Sequence, residues 1–251
     1  MLSDAKQPDG TLPVGGGIWR RVLALSPFGK IGRRRREQPS VRPGEFRSAE
    51  YWEDRYKTGG NSGLGSYGKL AAFKAQFING FIREHQVKRL LDFGCGDGNQ
   101  AGFLEIESYL GFDVSPSVVQ RCHDKFNGDP RRRFLLYEQA TFQAEVAAFQ
   151  ADLAISMDVV FHLVEEAVFA RYMDELFHSA TRHVIIYSTN YDKNDPSPHH
   201  VDRHFTGYLE RRMPGWELTQ TLVNPYKGKE VQADFFVYAR KTPAAAGGGP
   251  K

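Results

Sequence analysis

The chain has 251 residues, of which 41% are apolar and 25% charged, enough for one α/β domain with a packed core and appended segments. No run of 18 apolar residues occurs, which excludes a membrane-spanning helix, and two cysteines, Cys95 and Cys122, exclude a disulfide framework or a cysteine-based zinc site and suit a reducing cytoplasm, the expected location. The net charge of +3 is unevenly placed: residues 1–50 hold ten Lys/Arg against five Asp/Glu, leaving about −2 for the rest, so the body carries no basic surface suited to DNA.

Residues 1–17 are rich in Gly, Pro and polar side chains and read as disordered. Ile18–Leu25 sets Ile18, Trp19, Val22, Leu23 and Leu25 beside Arg20 and Arg21, and Arg33–Arg36 is a run of four arginines. This tail has two readings, a solvated arm or a peripheral membrane contact through Trp19 and the arginines. The apolar stretch is too short for a secretory signal and is followed by the arginine run, while Asp4 and Asp9 count against a transit peptide. The expected division is a basic tail over 1–47, a domain over 48–242 and a low-complexity tail over 243–251.

The body opens at Ser48-Ala-Glu-Tyr-Trp-Glu, a helix start with Ser48 as N-cap that carries Tyr51 and Trp52. Residues 58–68 are so rich in glycine that they read as a mobile cover over a ligand or as a plain surface linker. Leu70, Phe73, Phe77, Ile78, Phe81 and Ile82 share one face of a helix over 69–85. A strand over 89–93, a glycine turn, a short helix and a strand at 108–113 follow. Ser115-Pro-Ser opens the next helix, with Pro116 in its first turn. Further strands are expected at 133–137, Ala151–Met157, His183–Ser188, Trp216–Val223 and Val231–Arg240, with a helix over 165–179. Strands alternating with helices and closed by a strand pair specify an α/β fold, a doubly wound and mostly parallel sheet with helices on both faces.

Within that frame, Leu90-Leu-Asp-Phe-Gly-Cys-Gly-Asp-Gly98 carries the chemistry. A buried strand runs into Asp92, and glycine then occupies alternate positions, Gly94, Gly96 and Gly98, so that backbone can approach a ligand closely. Asp113 follows 21 positions after Asp92, the spacing of a strand–turn–helix–strand unit whose second carboxylate grips a ribose diol. A dinucleotide fingerprint would place glycine where Asn99 stands, and Asp92 and Asp97 would repel a pyrophosphate. They suit a cofactor with an amino group and a sulfonium.

Leu91–Gly98 and Gly111-Phe-Asp-Val-Ser115 resemble the first and second motifs of class I S-adenosylmethionine-dependent methyltransferases, and the likeness in element order covers about residues 50–240. The resemblance implies a seven-stranded sheet with the last strand antiparallel, and S-adenosylmethionine as cofactor. It implies a cofactor site at Asp92, Gly94, Cys95, Gly96, Asp113 and Val114, with Glu138 or Gln139 near the adenine and Asp158 and Tyr67 in contact. In an open α/β sheet, ligands gather at the carboxyl ends of the strands. Asp158 and His162, after the fourth strand, therefore lie beside the methyl group. His162 is read either as the general base or as a buried, hydrogen-bonded histidine, with Asp158 contacting the cofactor amine or orienting it. After the fifth strand, Tyr191, His199, His200, Arg203 and His204 wall the acceptor site, with His200 a further catalytic candidate. His200-x-Asp202-x-His204 lacks a fourth ligand for a metal, and none is expected.

No Asn-Pro-Pro-Tyr or Asp-Pro-Pro-Tyr follows the fourth strand, as it does in amino-methylating DNA enzymes of the resembled fold. Asn224-Pro225-Tyr226 comes much later and reads as a turn. The Tyr51-Trp52 pair, the Gly-Ser-Tyr-Gly loop and the His/Arg loop resemble methyltransferases of bacterial surface-sugar and secondary-metabolite pathways. The expected activity is O-methylation of a small-molecule or glycan acceptor. The alternatives are a protein or RNA methyltransferase docking through its arginine-rich arm, and a non-catalytic cofactor-binding partner subunit.

Overall fold

The computed structural model describes residues 46–193, 198–228 and 231–242. Ile18–Leu25, Arg33–Arg36 and the tail over 243–251 lie outside the described residues.

Helix α1 (Ser48–Lys57) is followed by a 3-10 turn (Leu64–Ser66), α2 (Gly68–Glu84) and β1 (Arg89–Phe93). Then come β2 (Ser108–Asp113), α3 (Pro116–Lys125), β3 (Arg132–Leu136), α4 (Gln139–Glu145) and β4 (Ala151–Met157). A 3-10 turn (Val160–His162), α5 (Glu166–Ser179), β5 (Ala180–Ser188), α6 (Phe205–Arg212), β6 (Trp216–Leu222) and β7 (Asp234–Arg240) complete the order. The seven strands form one sheet in the order β3-β2-β1-β4-β5-β7-β6. The five strands β1 to β5 run parallel, β7 pairs antiparallel with β5, and β6 pairs antiparallel with β7.

Central strands buried on both faces need apolar side chains at successive positions. Leu90, Leu153, Ile155, Ile185 and Phe235 pack on one face against Ile78, Phe81 and Ile82 of α2 and Val119 and Cys122 of α3. Leu91, Ala154, Val184, Ile186 and Phe236 pack on the other against Phe169, Met173 and Leu176 of α5 and Phe205 and Leu209 of α6. The strand order reverses between the parallel neighbours β1 and β4, and the crevice at that switch point holds the site.

Several boundaries differ from the sequence reading. Strand β5 begins three residues before His183, because Ala180 already pairs with Ala151. Strand β3 ends at Leu136, not Tyr137, and β7 begins at Asp234, not Val231. The short helix after the glycine turn is a single 3-10 turn, Ala101–Phe103. Helices α4 and α6 were not foreseen; α6 shows only Phe205 and Leu209 as a buried i, i+4 pair, too little periodicity to stand out. Ser48 is the first residue of α1, not its N-cap. No side chain of the preceding residue caps this helix, and Glu165 Oε1 accepts the Ser48 N–H at 2.9 Å from 117 positions away. In α3 the local device is present: Ser115 Oγ accepts the Val118 N–H, with Pro116 following.

Candidate active site

One cavity of about 940 Å³ opens at the carboxyl ends of β1, β2 and β4, between the glycine loop, α1, α2 and α5. Its first half is built by backbone. Gly94 and Cys95 donate their N–H groups to Phe112 O at 2.8 and 3.0 Å, folding the loop onto β2. Gly94, Gly96 and Gly98 have φ of 79°, 55° and 66°. A Cβ on Gly94 would stand 2.5 Å from Val159 Cγ2, and one on Gly96 would run into Ser62 Oγ.

Asp113 is buried and accepts the N–H groups of Gly96 and Ser115, each at 3.0 Å, one on each carboxylate oxygen. Burial pushes its pKa up to about 6 against these bonds. Asp92 accepts the Tyr109 hydroxyl on Oδ2 at 2.7 Å, and burial pushes its pKa up to about 7. Its Oδ1 and Gln100 Oε1 are buried without a hydrogen-bond partner. Both residues line the cavity. Two buried acceptors left unpaired are costly unless a ligand brings donors. The donor they fit is an amino group beside a closely approaching backbone, and a second carboxylate, Asp113, stands ready for a diol.

The segment over 58–68 packs, despite its glycines. Ser62 N donates to Asp97 Oδ2 at 3.1 Å, and Ser62 Oγ accepts Asp97 N at 3.0 Å and bonds the Tyr56 hydroxyl at 3.0 Å. The Tyr67 hydroxyl donates to the same Asp97 oxygen. Asn99 Nδ2 holds Ser66 O at 2.7 Å, and Arg121 Nη1 holds Gly60 O at 2.8 Å. Burial opposes the Asp97 charge, but the Tyr67 hydroxyl and the Ser62 and Asn99 N–H groups outweigh it and hold its pKa below the usual value. Asp97, at the tip of the glycine loop, thus anchors the cover.

Side chains build the second half. Lys74 of α2 is 1% exposed and its Nζ stands 2.5 Å from Asp158 Oδ2. Asp158 itself has φ of 59°, a strained value for a non-glycine residue at the end of β4. His162, in the next turn, has Nδ1 at 2.8 Å from His199 O. A carbonyl only accepts, so Nδ1 carries the proton and Nε2 the lone pair. Burial pulls the His162 pKa down to about 4, so the ring is neutral at physiological pH. Trp52 of α1 packs edge-on to this imidazole, with centroids 4.9 Å apart. Glu165 Oε2, in the same wall, is buried without a partner.

Of the residues expected from sequence, Asp92, Gly94, Cys95, Gly96, Asp113, Val114, Asp158 and His162 line the cavity. Others do not. Because β3 ends at Leu136, Tyr137 turns into the cavity, while Glu138 and Gln139 are exposed at the start of α4. Tyr67 acts on Asp97 outside the cavity. The loop after β5 supports the site from behind. Arg203 donates to Leu163 O at 2.6 Å and Val164 O at 3.0 Å, fixing the backbone after His162, and pairs with Glu166. His199 contributes its carbonyl and stacks on Tyr51, with centroids 4.9 Å apart. His200 stacks on Phe161 and bonds Asp202 Oδ1 at 3.0 Å, His204 bonds Thr206, and Tyr191 lies outside the lining. Among the described residues no three His, Cys, Asp or Glu side chains converge as metal ligands, and no helix is long and apolar enough to cross a membrane.

Sequence reasoning passed over Lys74, Gln100, Tyr137, Glu165 and Tyr56. Lys74 had a signal: it lies four residues after Leu70 and four before Ile78, inside the buried stripe of α2, where a lysine has no business unless paired.

Comparison with known proteins agrees with this arrangement. Residues 90–182 match the family model of a methyltransferase domain. A small RNA 2'-O-methyltransferase of Arabidopsis thaliana is 25% identical over 138 residues, half of this chain, which spans 14% of that protein's length. Among solved structures, the N-methyltransferase NodS of Bradyrhizobium japonicum in complex with S-adenosyl-l-homocysteine superposes with a TM-score of 0.61 at 10% identity, covering 78% of this chain and 99% of that one. The methyltransferase domain of bacterial CtHen1-C gives 0.53 at 19% identity, covering 67% and 97%. Seven strands in this order form the Rossmann-like fold that these solved methyltransferases share. The chain carries a methyltransferase domain over residues 90–182, and S-adenosylmethionine is the cofactor that its glycine loop and acidic strand ends suit.

Proposed function

We propose that this methyltransferase acts on a hydroxyl group of a small polyhydroxylated acceptor, a sugar or sugar-bearing molecule, with His162 taking the hydroxyl proton. The observation that carries this reading is the state of His162: a neutral imidazole in the cavity wall, its Nδ1–H committed to His199 O and its Nε2 left as an acceptor. When bound, S-adenosylmethionine supplies an electrophilic sulfonium methyl. Asp92, Gly94, Gly96 and Asp113 hold that ligand, and Trp52 shields His162 from water. Burial disfavours the imidazolium, but the Asp158 carboxylate in the same cavity offsets part of that cost as the proton arrives. Glu165 offers an acceptor oxygen to a second hydroxyl.

A second reading is methylation of an RNA 2′ oxygen, favoured by the likeness to the Arabidopsis thaliana small RNA enzyme. It too requires a base for a ribose hydroxyl. The charge of about −2 outside residues 1–50 favours the small acceptor.

A labelled methyl donor tested against free sugars, nucleotide sugars and short RNA separates the two. The expected product is an alkali-stable ether on a sugar, with transfer insensitive to salt. Salt-sensitive transfer to RNA alone would select the second reading. His162→Ala should lower turnover about 10²–10⁴-fold and leave S-adenosylhomocysteine affinity intact. Unchanged turnover would return His162 to a packing role.

A further inference from the structure

We infer that Lys74 is the cation that binds the carboxylate of the cofactor's amino-acid end, and that Asp158 holds it in place when no ligand is bound. The inference rests on the cofactor assignment above. Among the described residues Lys74 is the only lysine in the cavity lining, which also holds Arg47 and Arg171, and it is the cation buried at 1% exposure on α2. Its ammonium has three donors, yet among the described residues its Nζ makes one hydrogen bond, to Asp158 Oδ2 at 2.5 Å. The Tyr187 ring, centred 5.3 Å from Nζ, stabilises the cation through its face.

Two further observations place the amino-acid end here. The unpaired acceptors Asp92 Oδ1 and Gln100 Oε1 line the same cavity, and Lys74 acts electrostatically on Asp92. An α-amino acid carries an ammonium and a carboxylate on one carbon. A site that binds both needs unpaired acceptors and a cation with spare donors side by side, and this end of the cavity offers both. The cover lies against it: a Cβ on Gly65 would stand 2.7 Å from Asp158 Oδ2, so the backbone of the Leu64–Ser66 turn packs on the ion pair.

Calorimetric titration of the full chain with two ligands tests this. One is S-adenosylhomocysteine; the other is its decarboxylated analogue, which keeps the nucleoside and the amine. The wild type should prefer the first by about 10- to 100-fold, the weight of one charge-assisted hydrogen bond in a buried site. Lys74→Met should erase that preference by weakening S-adenosylhomocysteine alone, and Lys74→Arg should restore part of it. Equal losses for both ligands, or no loss for either, would overturn the inference. If Lys74→Met does not fold, the wild-type comparison still decides, since equal affinities dismiss a carboxylate-binding cation. A wild type that binds neither ligand overturns the cofactor assignment itself; one that binds both alike overturns only the role of Lys74.

Discussion

The two halves of the cavity are built by different means. The cofactor half is made by a short run of chain: β1, the glycine loop and the end of β2 present backbone N–H groups, and the side chains that matter, Asp92 and Asp113, sit at strand ends. The other half is made from α1, α5 and the turn after β4, held by contacts that span large separations: Ser48 to Glu165 over 117 positions and His162 to the His199 carbonyl over 37, while the Lys74–Asp158 pair, 84 positions apart, lies where the two halves meet. A backbone-built site tolerates little change at its glycines, and the same cofactor can be held by many sequences with that geometry. A side-chain-built site can be retuned one residue at a time. The cofactor is thus fixed by the fold, and the acceptor by whichever side chains the helices bring over it.

Gly94→Ala should break the first half most severely. The new Cβ meets Val159 Cγ2 at 2.5 Å in a backbone with φ of 79°. Left-handed strain and overpacking together cost about 2–5 kcal/mol. Relief requires the loop to move off the ligand, so S-adenosylhomocysteine affinity should fall by about 10²-fold or more in a titration. Gly128→Ala supplies the control: φ is 87°, but a Cβ there meets nothing within 4 Å. It should lower the melting temperature and leave affinity unchanged. A loss of affinity there would mean that strain anywhere in the fold reaches the site, and the division into two halves would fail.

The same division explains what could be read from the sequence. Periodicity gave the succession of strands and helices and strand-end motifs the residues Asp92, Gly94, Gly96 and Asp113, because each is determined by neighbours a few positions away, whereas the seven-stranded sheet with its antiparallel last strand came from the family resemblance. His162 was placed through its strand end alone. Which way the loop after β5 faces was not legible: in sequence Arg203 reads as part of the acceptor wall, and only the packed structure shows its guanidinium bonded to the carbonyls of Leu163 and Val164. Glu138 and Gln139 missed the cavity because β3 stops one residue earlier than its apolar pattern suggests, and in a strand a shift of one position reverses the face. How the segment over 58–68 is anchored was not legible, because glycine content says nothing of Ser62 and Asp97 meeting 35 positions apart.

The pH dependence of binding sharpens the comparison further. Burial pushes Asp113 up to about 6 and Asp92 up to about 7, while His162 is pulled down to about 4. Above pH 7 both carboxylates are ionised and accept the ligand's donors. As pH falls through 7 and then 6 they protonate, and only the ionised fraction binds. S-adenosylhomocysteine affinity should therefore fall about tenfold or more between pH 8 and pH 5, over a range in which His162 does not change charge. Asp113→Asn should bind weakly and lose the step near pH 6. A flat profile in the wild type would mean that the carboxylates bind their ligand equally well when protonated, which is incompatible with Asp92 Oδ1 pairing with an ammonium.

The smallest effect expected comes from the hinge between the halves, where the cover rests on the glycine loop. Tyr67→Phe keeps the ring and removes one donor from Asp97, which retains the Ser62 and Asn99 N–H groups. A hydrogen bond of this kind contributes about 0.5–1.5 kcal/mol net. If the cover must lift for the ligand to leave, that loosening appears as a dissociation rate raised about two- to tenfold, with a nearly unchanged association rate in stopped-flow measurement. Ser62→Ala removes the hydroxyl shared by Tyr56 and the Asp97 N–H and should act in the same direction. The two changes meet at one residue, Asp97, through its carboxylate and its backbone N–H, so the double variant should fall short of the sum of the singles. Strict additivity would instead show that Tyr67 and Ser62 hold the segment independently, and that Asp97 is not the point at which the cover senses the cofactor half.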